Sequence, residues 1–175
     1  MDPTDPLELH TRVVNTPVSE NTGNVEENKS LYWHPTVYRY DRETDTYNRA
    51  AMAQSSAYYV WKTGETRAFP NGFRMIGGYD AAKSLAEWDC VNPQPCTLDS
   101  CYTENNFFPN TYCDELEVSM RLPSCWDGKN ISSPPDHTSH VAYTDTGEVF
   151  DGECPDSHPI KVPQIHLFFR ISPYV

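Results

Sequence analysis

The chain has 175 residues, with 25 acidic against 13 basic side chains and a formal charge of −12 at neutral pH. That length suits one domain with its own core, and an acidic chain with no Lys/Arg cluster excludes nucleic acid and anionic membrane as natural partners. No apolar run is long enough to span a bilayer, and MDPTDPLELH lacks the basic start and apolar stretch of a secretion signal, so the chain reads as a mature or truncated form.

Residues 1–30 are polar and aperiodic apart from a short patch at Val13-Val14, which predicts an extended N-terminal arm. Three roles are open to such an arm: a disordered segment, a wrap around its own domain, or a strand added to another copy. From Leu31 the chain turns aromatic and β-branched, and LYWHPTVYRYD, AYYVWKTG and RAFPNGFRMIGG read as successive strands. Asp45, Gly64, Asn71-Gly72 and Gly77-Gly78 punctuate them. AAKSLAEW, residues 81–88, is the best helical segment, with Asp80 as its cap. Downstream, ELEVSMRLP, SHVAY and QIHLFFRISPY alternate as half-buried strands do, and most of the 15 prolines fall between such runs. The pattern predicts a mainly β chain: an antiparallel sandwich or jelly-roll-like domain over residues 31–175, with long disulfide-braced loops.

Six cysteines, Cys90, Cys96, Cys101, Cys113, Cys125 and Cys154, follow no paired zinc-binding spacing and read as disulfide partners in an oxidising compartment. Spacing leaves the connectivity open; Cys125 with Cys154 is the pairing favoured here. Two sequons, at Asn28 and Asn130, stand in polar or Pro-rich surroundings and agree with an extracellular glycoprotein.

The densest polar constellation runs from Cys125 to Pro163. Its candidate acid, base or ligand residues are Asp127, Asp136, His137, His140 and His158, because carboxylates orient imidazoles and imidazoles titrate near neutral pH. The competing reading is that these side chains bond loop backbone that lacks regular ladders. No metal site or cofactor is expected. Ser139-His140 lacks a nucleophile elbow. Trp33, Trp61, Trp88 and Trp126 are read as core aromatics before sugar platforms, and His34 and His166 as structural.

CWDGKN, PDHTSHVAY and CPDSHPIKVPQI, with YWHPTVY and FPNGFRMIGG upstream, resemble the motifs of a secreted, chiefly fungal and algal family catalogued as domain of unknown function nineteen ninety-six. The resemblance spans roughly residues 30–170 and implies a disulfide-containing extracellular domain of the kind found beside carbohydrate-binding WSC modules. Relatives open with a Cys and a pair of His residues one position apart. Here His10 is followed by Thr11 and Arg12, and no N-terminal Cys is present. That departure favours a binding or structural role over an enzymatic one. The expected function is a secreted interaction protein, glycosylated, associating with extracellular polysaccharide or with other copies of itself through its arm. The alternatives are a carbohydrate-active enzyme, a degenerate relative of one, or a carbohydrate-binding module.

Overall fold

The computed structural model of the chain describes residues 32–34, 36–79, 86–91 and 114–172. The chain divides into two compact units, Met1–Thr36 and Val37–Val175, and every described strand belongs to the second. The arm expected over residues 1–30, with its sequon at Asn28, lies outside the described residues. So do Cys96, Cys101, Cys113 and the side chain of Cys90.

Among the described residues the fold is mainly β, with every ladder antiparallel and no helix. Strands β1 (Tyr38–Asp41) and β2 (Thr46–Arg49) form a hairpin. Its turn is built by carboxylates. Asp41 accepts from the backbone N–H groups of Glu43 and Thr44, and Asp45 sits at φ 53° while accepting from the Tyr40 hydroxyl at 2.6 Å. Asp tolerates that left-handed region better than a β-branched residue does.

Strands β3 (Met52–Val60), β4 (Glu87–Val91), β5 (Glu115–Arg121) and β9 (Gln164–Ile171) make a four-stranded sheet in the order β3-β9-β5-β4. Two-residue strands β6 (Cys125–Trp126), β7 (Val141–Ala142) and β8 (Ile160–Lys161) make a small sheet in the order β7-β6-β8.

Residues directly opposite each other in a ladder lie on one face of the sheet. The register sets Leu116 against Ile171, and Val118 against both Phe169 and Trp88. Leu116, Val118 and Ile171 are buried, and Val37, Ala50, Trp88 and Phe169 pack on them. Full burial of each such aliphatic side chain is worth roughly 1.5–3 kcal/mol. The opposite face carries Gln54, Arg170 and Glu117 in one cross-strand row, Ser56, Phe168 and Ser119 in the next, and Tyr58, His166 and Arg121 in the third. One face of the sheet is therefore core, and the other is polar and aromatic.

Two expectations are corrected. Glu87 and Trp88, the end of the expected helix, lie in β4, because burying Trp88 on the β5–β9 core outweighs the helix propensity of its neighbours; residues 80–85 lie outside the described part. RAFPNGFRMIGG forms no strand. Pro70 supplies no N–H and residues 71–72 turn, so this segment is laced singly to the loops. Arg67 N–H bonds Lys161 O at 2.9 Å, Arg74 N–H bonds Ile131 O at 2.9 Å, and Ile76 N–H bonds His137 O at 3.0 Å.

Candidate functional site

The predicted constellation occupies the loops around β6, β7 and β8. Cys125 is disulfide-bonded to Cys154 across a sequence separation of 29, which closes the segment on itself. Immediately after β6, Asp127 folds the chain over. Its Oδ1 accepts from the N–H groups of Lys129 (2.8 Å) and Asn130 (3.0 Å), and its Oδ2 from the Asn130 side-chain amide (2.7 Å). Gly128 sits at φ 78°, where a Cβ would lie 2.7 Å from Ile160 Cδ1, which accounts for the Asp-Gly of CWDGKN. Burial works to raise the Asp127 pKa, but the bonds from Asn130 and Lys129 outweigh it and hold the carboxyl below its ordinary value.

Asp136 plays the same part in the next turn. Its Oδ1 accepts from Thr138 N–H (2.9 Å), Ser139 N–H (3.2 Å) and the Ser133 hydroxyl (2.9 Å). These donors, Thr138 foremost, hold its pKa at about 2. His137, at φ 51°, pairs its Nδ1 with the Ser132 hydroxyl at 2.7 Å. His158 Nε2 lies 3.1 Å from the Ser139 carbonyl, so Nε2 carries a proton, and Nδ1 is left to accept from the Ser157 hydroxyl at 2.9 Å.

His140 is the buried member, with 1% of its surface exposed. Its Nδ1 pairs with Ser133 Oγ at 2.8 Å, and its ring centroid lies 5.2 Å from that of Phe73. Because the Ser133 hydroxyl donates to Asp136, its oxygen accepts from His140 Nδ1–H, and the neutral ring presents a lone pair at Nε2. No partner reaches that buried Nε2 with hydrogen-bond geometry. Burial lowers the His140 pKa, while the Arg74 backbone acts in the opposite direction.

The five candidates thus share one loop system, with Ser133 bridging Asp136 to His140 and His158 docked on Ser139. Both carboxylates are committed to donors of their own turns, and three imidazoles to neighbouring serines. The arrangement ties irregular backbone together. Among the described residues no group of three or more His, Cys, Asp and Glu is placed to hold a metal ion.

A different surface offers space. The polar face of the four-stranded sheet holds a groove of about 530 Å³, lined by Gln54, Ser56 and Tyr58 of β3, His166, Phe168 and Arg170 of β9, and Glu117 of β5. Tyr58, 58% exposed, meets Phe168 edge-to-face with ring centroids 5.4 Å apart. Arg170 Nε donates to Glu117 Oε2 at 2.7 Å, which neutralises both charges across the floor. His166 Nε2 faces Gln164 Oε1 at 3.2 Å and is the donor of that bond. Burial and the nearby Arg121 lower the His166 pKa. The groove therefore offers ring faces, amide and hydroxyl groups, a neutral imidazole and a self-compensated ion pair.

The family profile described as a domain of unknown function, DUF1996, matches residues 8–172. The chain belongs to this family. No curated protein and no solved structure matches it.

The DUF1996 match takes in both the loop system and the groove. His10 lies outside the described residues. Sequence reasoning misses the groove residues because it takes each strand for its buried face. Alternation in QIHLFFRI sorts His166, Phe168 and Arg170 to one side and Ile165, Leu167 and Phe169 to the other. A polar-aromatic stripe opposite an apolar one is the available signal.

Proposed function

We propose that this DUF1996 domain is an extracellular interaction module that associates with neutral polysaccharide through the groove of its four-stranded sheet. The observation that carries the reading is exposed Tyr58 packed edge-to-face on half-buried Phe168, set among Gln54, Ser56, His166 and the Glu117–Arg170 pair. Aromatic faces stack on sugar rings while amides, hydroxyls and imidazole bond their hydroxyl groups. A net charge of −12 disfavours anionic polymers. The Cys125–Cys154 disulfide supports an oxidising, extracellular setting. Glycosylation at Asn130 is part of the same reading, supported by that residue's exposure, and is checked by intact mass before and after glycosidase treatment. The committed carboxylates of Asp127 and Asp136 make binding a better reading than glycoside hydrolysis, which needs one carboxylate free as acid and another as base or nucleophile.

The test is titration calorimetry and affinity electrophoresis against a panel of neutral, cationic and anionic glycans. Binding of at least one neutral glycan, weakened at least about tenfold by Tyr58→Ala or Phe168→Ala and unaffected by His137→Ala, is the expected result. Neutral-glycan binding indifferent to both groove substitutions refutes the surface assignment, and turnover of any bound glycan refutes the passive reading.

A further inference from the structure

Among the described residues the four-stranded sheet ends in β3 on one side and β4 on the other, and these two strands differ in charge. β4, at one end, carries Glu87 and Asp89, and two β4 strands centred on each other would set Asp89 against Asp89. Charged edge residues of this kind block edge-to-edge pairing. β3, at the other end, runs nine residues, MAQSSAYYV, with no charged residue and no proline. Its register shifts between Met52 and Gln54 and is regular from there on. Gln54, Ser55 and Tyr58 are exposed, and Ser56 and Ala57 half-buried.

We infer that the outer edge of β3 is a self-association strand, in which Gln54–Tyr58 of one copy pairs antiparallel with Gln54–Tyr58 of a second copy about a two-fold axis at Ser56. That register sets Gln54 against Tyr58, Ser55 against Ala57 and Ser56 against Ser56, so no like charges meet and each hydroxyl or amide faces a small or aromatic neighbour. A residue-centred axis keeps even-numbered residues opposite even-numbered ones, so the grooves of both copies open on the same side of one eight-stranded sheet. The inference rests on the edge and stands apart from the identity of the groove's ligand. Each copy carries −12, so association strengthens with salt as the Debye length falls from about 30 Å at 0.01 M to about 3 Å at 1 M.

The test uses the full, disulfide-intact chain in sedimentation velocity at 0.01 M and 1 M salt, with residue-resolved hydrogen exchange at low and high protein concentration. In the monomer every second amide of residues 54–58 is protected by β9. In the dimer the alternate amides become protected as well, the dissociation constant falls at least about tenfold at high salt, and Ser55→Lys abolishes the dimer although it reduces the net negative charge. A monomer under all conditions overturns the inference, as does a dimer that leaves the alternate amides exchanging. Protection of both sets of amides in the monomer also overturns it, because the edge is then covered by the chain itself.

Discussion

Replacing His140 separates packing from polarity in the loop system. The ring is almost wholly buried, makes one bond through Nδ1 and leaves Nε2 without one. His140→Leu fills a similar volume and loses the Nδ1 bond, worth about 1 kcal/mol, but removes a buried unsatisfied group that costs about 1–3 kcal/mol. Ser133 is not stranded, because Asp136 still accepts its hydroxyl proton. The Leu variant is therefore expected within about 1 kcal/mol of wild type at pH 7.5, whereas His140→Ala opens a cavity beside Phe73 and loses about 2–4 kcal/mol. The variants also differ from wild type in pH response. The folded His140 pKa lies below the unfolded value of about 6.5, so in the window below 6.5 the unfolded chain binds a proton the folded chain does not. Stability then falls on acidification by up to about 1.4 kcal/mol per pH unit until the folded pKa is passed. His140→Leu loses that contribution, while the one from His166, lowered in the same direction, persists. Urea unfolding followed by tryptophan fluorescence at pH 7.5, 6.5 and 5.5 measures both effects. Equal losses in the Leu and Ala variants, or an unchanged pH slope in the Leu variant, refute the reasoning.

Removing the disulfide with Cys125→Ala and Cys154→Ala frees a loop of about 30 residues, for which the chain-entropy relation gives about 3.5 kcal/mol. Urea unfolding should show that loss, and a change under about 1 kcal/mol would contradict it. Gly152→Ala would drive a methyl group into the Thr144 side chain, whose hydroxyl bonds Glu148 O, and into Thr146 Oγ1; a loss of about 1–3 kcal/mol is expected by thermal unfolding. A neutral effect would mean that the loop shifts freely.

The class of the fold was legible because alternation is a local signal. Leu116 and Val118 in ELEVSMR and the apolar positions of QIHLFFRI announced the strands that carry the core. RAFPNGFRMIGG misled because its aromatics mimic strand composition, while its backbone bonds go to Ile131, His137 and Lys161, partners dozens of residues away. Glu87 and Trp88 at the end of AAKSLAEW misled in the opposite sense, since helix propensity is intrinsic while the pull on Trp88 comes from β5 and β9. In the loop system the sequence grouped side chains that meet in the structure, Ser133 bonding both Asp136 and His140. Whether Asp136 faces a substrate or its own turn depends on φ and ψ, which composition does not encode, although Asp two residues before Thr and three before Ser is a known turn-builder's position.

Gln164 joins the four-stranded sheet to the 147–149 loop. It opens β9 and is fully buried, with both polar atoms of its side chain engaged: Nε2 donates to Gly147 O at 2.7 Å, and Oε1 accepts from Val149 N–H at 3.3 Å and from His166 Nε2 at 3.2 Å. One amide thereby fixes the 147–149 loop and sets which nitrogen of His166 in the groove carries its proton. Gln164→Leu keeps the bulk but strands a buried N–H at Val149 and a carbonyl at Gly147, at a cost of about 2–5 kcal/mol. Gln164→Glu keeps the acceptor for Val149 and His166 but sets a carboxyl oxygen against the Gly147 carbonyl in a fully buried place, so it destabilises as well, and its negative charge raises the His166 pKa toward the protonated ring. Proton NMR titration of His166 beside urea unfolding of both variants distinguishes the roles. If Gln164→Glu leaves the His166 titration where it was, the amide serves the loop alone and the groove is set independently of it.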